Sequence, residues 1–324
     1  MKAAILHGIK QKLNVEETEF GLVNSDHVAV QVLCASLNHR DYWIQQGKYA
    51  GLKFPIILGS DLCGVYNGKR VIVNPSQNWG SNEHFQSSQF RILGLPDSGS
   101  LAEYVSVPKN TIHETPAHLN DEECAALPLA SLTAFRALFT KAKLEKTDSV
   151  LITGIGGGVS LAALQLALPL DCNIFVSSSS NYKIDQAIIL GSKGGVNYNE
   201  ENWDKQLIEM SNGGVDVIID GAAGNNITKL LKIAKPGARL VIYGGTAGVL
   251  NDISPQIIFW KQIQILGTTM GSDEDFELLM AHINRYKVKP IVDRIFELNS
   301  INSAFERMAA GEQFGKIVIK VANA

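Results

Sequence analysis

Between residues 154 and 158 the chain reads Gly-Ile-Gly-Gly-Gly. Glycines this dense let a backbone come close to a bulky anion, and a helix that begins directly after them points its first N–H groups at that anion. Here they stand between the apolar run Ser149-Val150-Leu151-Ile152-Thr153, too short for a buried helix, and Val159, Ala162, Ala163, Leu166 and Ala167, which recur at helical spacing. Strand, tight turn and helix in that order suit the pyrophosphate of a dinucleotide. Gly154 and Gly156 fill the first two places of G-x-G-x-x-G, but Val159 stands in the third and Gly158 falls one residue early. Gly156, Gly157, Gly158 and Val159 are therefore candidate pyrophosphate contacts, against the alternative of an ordinary strand-to-helix turn.

The next apolar run ends in Ser177-Ser178-Ser179-Ser180-Asn181-Tyr182-Lys183, with no carboxylate before Asp185. An acidic residue at that strand end would bind the ribose hydroxyls of NAD. Hydroxyls and a lysine suit a 2′-phosphate instead, which a carboxylate would repel. The expected cofactor is NADP(H), with Ser177, Ser178 and Lys183 as contacts; a solvated serine loop with a surface lysine is the alternative. Asp220-Gly221-Ala222 and Tyr243-Gly244-Gly245-Thr246 close two later runs with small residues, at the carboxyl edge where ligands lie in parallel sheets. These glycines either face the ligand or serve the turn.

Such residues need a parallel sheet to hold them. Strands at 149–153, 172–177, 195–198, 215–220, 239–243 and 263–268, with helical segments between, predict a doubly wound α/β sheet of Rossmann type. Upstream, the segments 2–6, 13–17, 27–37, 62–66, 70–74, 101–107 and 111–114 carry strand patterns, so the start is β-rich. A short helix fits 41–46, and 75–91 is polar and without period, as a surface loop would be. Asn120 is placed to cap a helix whose first turn holds Asp121, Glu122 and Glu123, and 129–143 is helical. The tail, with helices at 273–286 and 301–310 and strands at 292–297 and 316–321, is too small for a third core. It is expected to complete the N-terminal β domain, which gives 1–122 with 272–324 as one domain and 123–271 as the other.

Composition narrows the class further. A chain of 324 residues with a net charge of -3 has no basic surplus for nucleic acid or anionic lipid. No apolar run approaches the roughly 20 residues of a membrane helix, and the start lacks a signal-peptide core. A cytoplasmic enzyme is expected. Cys34, Cys63, Cys124 and Cys172 lie far apart within apolar runs, as core residues and not as a disulfide framework or zinc cluster.

Leu37-Asn38-His39-Arg40-Asp41, Gly47-Lys48-Tyr49, Pro55-Ile56-Ile57-Leu58-Gly59-Ser60-Asp61, Ala102-Glu103-Tyr104-Val105, Leu132-Thr133-Ala134-Phe135, the glycine turn and Gly315-Lys316-Ile317-Val318 follow one another along the whole chain. In these stretches it resembles the medium-chain dehydrogenase/reductase superfamily, in its zinc-free quinone oxidoreductase and enoyl reductase branch. The resemblance implies a GroES-like catalytic domain interrupted by a Rossmann domain. It implies 2′-phosphate contacts at Ser177, Ser178, Lys183 and Tyr198, nicotinamide contacts at Thr133 and Thr268, and cofactor contact from Lys316. Where zinc enzymes of the superfamily carry catalytic ligands, this chain has Asn38, Ser60 and Leu129, so no metal is expected.

Without a metal, hydride passes most easily to an acceptor that spreads its own negative charge, such as a quinone or an α,β-unsaturated carbonyl. By resemblance to enoyl thioester reductases Tyr49 is the candidate proton donor, with packing or substrate orientation as the equal alternative. Asn38 and Asp41 either orient the nicotinamide ribose and the following loop or cap the turn; His39 and Arg40 read as loop residues. Alternatives to quinone or enone reduction are a 2-enoyl thioester reductase and a non-catalytic NADPH-binding protein. The strand at 263–268 would be an open sheet edge, and relatives dimerise through such edges, so a homodimer is expected.

Overall fold

Val, Ile and small residues in alternation draw the first third of the chain into strands. These are β1 (Lys2–Leu6), β2 (Asn14–Glu17), β3 (His27–Ser36), β4 (Ile56–Ile57), β5 (Asp61–Tyr66), β6 (Lys69–Val73), β7 (Ser76–Gln77), β8 (Arg91–Ile92), β9 (Tyr104–Pro108) and β10 (Ile112–Glu114). The short helices α1 (His39–Gln45), α2 (Asp121–Ala126) and α3 (Pro128–Phe135) accompany them. Then the rhythm changes: β11 (Ser149–Ile152), β12 (Asn173–Ser178), β13 (Gly194–Asn197), β14 (Val215–Asp220), β15 (Ala234–Ile242) and β16 (Gln264–Gly267) alternate with helices. The helices are α4 (Gly158–Ala167), α5 (Asn181–Ile189), α6 (Trp203–Met210), α7 (Ile227–Ile233) and α8 (Pro255–Lys261). The end of the chain forms α9 (Asp273–Tyr286), β17 (Val292–Glu297), α10 (Ile301–Ala310) and β18 (Lys316–Lys320).

This computed structural model describes residues 1–322. The chain forms two units, Met1–Leu132 with Gly271–Ala324, and Thr133–Met270. In the first, a sheet ordered β10-β6-β5-β3-β18-β17, with β9 also on β3, lies beside the smaller β2-β1-β4 sheet. The tail does return: β18 pairs antiparallel with β3, Val318 opposite Ser36, and β17 pairs parallel with β18. The first crossing between units falls inside α3, later than residue 122, because α2 packs on β5, β3 and β18 of the first unit.

The core of this unit is built by Val30, Val32, Leu62, Val71, Leu101 and Ile317, all nearly or wholly buried. Residues 75–91, read from sequence as a plain surface loop, are pinned. Trp79 is buried and meets Phe90 edge-on, β7 pairs with β8, and Ser76 Oγ donates to Gly271 O at 2.6 Å. One tryptophan among polar residues gives no period, so pattern alone could not find that anchor.

The second unit is a six-stranded parallel sheet in the order β13-β12-β11-β14-β15-β16. β11 is buried throughout, as an apolar run between two helical layers must be. The expected helix over 129–143 is shorter: α3 ends at Phe135 and continues as a single wide π-helical stretch, Arg136–Lys141. Among the described residues no helix is long and apolar enough to cross a membrane. All four cysteines are buried and unbridged, as their apolar surroundings predict.

Candidate active site

In the first unit β3, β5 and β18 bring their polar ends together. Ser36 stands opposite Asp61 across β3 and β5, and Leu37 N–H donates to Ile317 O at 2.9 Å, which sets Asn38 beside Lys316. Asp61 has no exposed surface. Its Oδ2 accepts from Asn38 Nδ2 at 2.8 Å, Lys316 Nζ at 3.0 Å and Ser36 Oγ at 3.2 Å, and its Oδ1 accepts from Leu129 N–H at 2.8 Å. Lys316 Nζ also donates to Asn38 Oδ1 at 2.5 Å. A buried carboxylate and ammonium are thus neutralised as a pair and fixed by neutral donors, the condition for burying charge at all.

Asn38 opens α1, and its two halves do different work. Its amide joins the ion pair, while its backbone N–H donates to Asp41 Oδ2 at 2.8 Å. Asp41 Oδ1 accepts from Gly59 N–H at 3.1 Å, so this carboxylate ties the start of α1 to the turn before Ser60. Burial pushes the Asp41 carboxyl above the usual carboxylate range, opposed by the neighbouring Arg40 charge and by the two N–H donors. With no exposed surface and both oxygens engaged, Asp41 acts on the site through Asn38 and Gly59.

Arg40 turns inward. It is 8% exposed, and Nη1 donates to Ser60 Oγ at 2.7 Å and to Leu93 O at 2.8 Å. The ring of Tyr49 lies 5.6 Å from its guanidinium carbon and is itself partly exposed. Arg40 and Asp61 are the residues that sequence reading passed over. The available signal was a charge on either side of the apolar stretch Pro55-Ile56-Ile57-Leu58, where burial would demand partners.

The second unit carries the glycine turn at the carboxyl end of β11. Gly157 is the N-cap of α4 with no side chain closing it, so N–H groups of the first turn stay open to an anion. A Cβ on Gly156, whose φ is +112°, would stand 2.6 Å from Lys183 Cδ; the lysine stem runs across the turn only because that residue is glycine. Ser177 and Ser178 end β12 as buried residues, Ser178 Oγ accepts from Ser180 N–H at 3.2 Å, and Tyr198 N–H donates to Ser178 O at 3.1 Å. Hydroxyls, lysine and glycine turn therefore gather at neighbouring strand ends, a donor set that fits a dinucleotide phosphate.

Other candidates sit around the same sheet edge. Tyr243 lies over Gly221, where an added Cβ would meet its ring at 2.5 Å, so packing explains that glycine without a ligand. Burial, aided by Asp220, pushes the Tyr243 hydroxyl well above its usual range. Ala222 O accepts from Ala247 N–H at 2.8 Å, Gly244 packs on the Gly221 carbonyl, and Gly245 stands open. Thr133 Oγ1 lies 3.9 Å from Met270 Sδ. Thr268 Oγ1, just past β16, is buried with no hydrogen-bond partner, as a group awaiting a ligand would be.

Residues 24–117 match the alcohol dehydrogenase GroES-like domain and residues 158–285 match the family described as zinc-binding dehydrogenase. The zinc-type alcohol dehydrogenase-like protein YogA of Leptosphaeria maculans is 36% identical over 326 residues, covering 91% of each chain. The chain belongs to the medium-chain dehydrogenase/reductase superfamily. A quinone oxidoreductase of Mus musculus is 30% identical over 308 residues, covering 91% of this chain and 89% of its own. The crystal structure of an NAD-dependent alcohol dehydrogenase superposes with a TM-score of 0.93 at 28% identity, over 99% of this chain and all of the other. As a medium-chain dehydrogenase/reductase the protein is an oxidoreductase of a family that uses a nicotinamide cofactor.

Membership raises the question of zinc. Asn38, Ser60 and Leu129, which the resemblance matches to the metal ligands of zinc relatives, offer no sulfur or imidazole nitrogen. Among the described residues no three His, Cys, Asp or Glu side chains are grouped to hold a metal. Ser60 Oγ instead accepts from a guanidinium, and Asn38 Oδ1 from an ammonium. The oxygens of Ser60 and Asn38 are taken up by a guanidinium and an ammonium, so the residues of this medium-chain dehydrogenase/reductase fit zinc poorly.

Proposed function

We propose that the protein is an NADPH-dependent, zinc-independent reductase of quinones or activated α,β-unsaturated carbonyls. The observation that carries this reading is the pair of cationic contacts, Arg40 on Ser60 and Lys316 on Asn38, at residues that the resemblance matches to a metal site in zinc relatives. Acceptors that delocalise the charge of an arriving hydride depend less on a Lewis acid than a simple ketone does. NADPH over NADH is supported by the carboxylate-free end of β12 and by Lys183 lying across Gly156. Bound there, the dinucleotide supplies the hydride. Tyr49, half open to solvent against the Arg40 guanidinium, is the residue proposed to donate the proton.

The test is NADPH oxidation, followed in the near ultraviolet, against ortho- and para-quinones, short enones and simple ketones, before and after prolonged chelation. Saturable turnover of quinones or enones that survives chelation is expected. Tyr49→Phe should lower kcat on the order of 10²-fold, the usual worth of a positioned proton donor. Turnover restricted to alcohols or ketones and abolished by chelation would reject the reading.

We further propose a homodimer formed along β16. That strand closes one side of the sheet, Ile265 on it is 37% exposed, and Phe259 and Trp260 of the preceding α8 are 62% and 83% exposed. An open apolar edge beside two bare aromatic rings is an association surface unless covered. Light scattering should give twice the chain mass, and Trp260→Glu should weaken the dimer on the order of 10²-fold, as loss of a central aromatic anchor does.

A further inference from the structure

Arg40 is a buried cation with donors to spare. Its Nη1 is satisfied by Ser60 Oγ and Leu93 O, but its buried Nε–H has no acceptor, and among the described residues no carboxylate pairs with it. Its nearest acidic neighbour, Asp41, has both oxygens committed to the N–H groups of Asn38 and Gly59. A guanidinium taken out of water without its acceptors costs free energy, and the fold recovers that cost only if something else supplies them. Such a fork of N–H groups is made for an oxygen anion. The bonds to Ser60 and Leu93 hold its plane still, and the ring of Tyr49, 5.6 Å away, marks its outer limit.

We propose that Arg40 is a catalytic residue whose unpaired donors take the carbonyl oxygen of the acceptor and stabilise the oxyanion that hydride transfer creates. This rests on the reductase reading above. With a bound reduced nicotinamide dinucleotide supplying the hydride, and being oxidised by its loss, a C–H bond would form at the β-carbon of an enone or on the ring of a quinone, and the π electrons would move through the conjugated system onto the carbonyl oxygen. That oxygen is an enolate or hydroquinone anion held by Arg40. One proton, from Tyr49 O–H, completes the reduction; water restores the phenol. The guanidinium supplies by hydrogen bonds the charge stabilisation that a metal supplies by coordination.

The test uses the full-length protein with NADPH, and 4-nitrophenol as a stable mimic of the product anion. The wild type should bind the yellow phenolate form and lower the probe's apparent pKa, and Arg40→Met should abolish that lowering while leaving NADPH binding within about threefold. Turnover of the best quinone or enone should fall on the order of 10²-fold in kcat/KM, the measured worth of an oxyanion donor. Free guanidinium ion should restore part of the rate to Arg40→Ala, which a packing role would not allow. Arg40→Lys, which keeps a charge for Ser60 and Leu93 O, carries the comparison if Arg40→Met does not fold, and should retain only part of the shift.

A folded Arg40→Met with unchanged turnover and probe shift, or one that loses NADPH binding instead, overturns the assignment. A wild type that lowers the probe's pKa yet reduces no acceptor would reject the reductase reading and leave the oxyanion site standing. A wild type with no effect on the probe overturns the site itself.

Discussion

Lys316→Met is expected to destabilise the protein by about 3–5 kcal/mol, because it strands a carboxylate in the core. Asp61 has no exposed surface and cannot recover water as a partner. Its Oδ2 would keep the hydrogen bonds of Asn38 and Ser36 but lose the only opposite charge bonded to it among the described residues. For units of this size the melting temperature should fall on the order of 10 °C. Calorimetry of the purified variant reads this directly. Adding Asp61→Asn should return more than half of the loss, since the Asn38 amide, released by Lys316, can rotate to face a neutral partner. A single variant within about 1 kcal/mol of wild type would mean that the ion pair contributes nothing.

Ser178→Asp is expected to reverse the cofactor preference. The hydroxyl ends β12 beside the Tyr198 backbone, where a carboxylate would meet the proposed 2′-phosphate with like charge. Loss of a charge-assisted hydrogen bond and gain of repulsion together are worth about 3–4 kcal/mol, a change on the order of 10²–10³-fold in the ratio of kcat/KM for NADPH and NADH. The new carboxylate can still accept the Ser180 N–H that Ser178 Oγ holds, so α5 keeps its start. The ratio, measured with one acceptor and both cofactors, is the readout. An unchanged ratio would remove Ser178 from the phosphate site and return the serine run to the role of a solvated loop.

The parallel-sheet half of the protein was legible because its pattern is local. A strand, a glycine turn and a helix are consecutive, so the uncapped start of α4 follows from residues within about one turn of each other. The parallel sheet was legible for a related reason: strands buried on both faces must be apolar runs, and six of them in alternation with helices leave one architecture. Even the return of the tail could be reasoned, from its being too short to make a core of its own.

The other half was not readable in the same way. Asn38 could be singled out, but its partner Lys316 lies 278 positions away and Asp61 meets both only because β18 pairs with β3 and β3 with β5. Arg40, placed among loop residues from its neighbours in sequence, becomes a buried cation because α1 turns it towards Ser60 and Leu93, contacts separated by 20 and 53 residues. Trp79 hid in a polar stretch for the same reason. Sequence by itself determined the fold class and the strand, glycine turn and helix at 149–167, since both arise from periodicity and from groups adjacent in the chain. Only tertiary structure decided which charges are buried and which atoms neutralise them, since a buried charge is defined by partners that strand pairing delivers from distant positions.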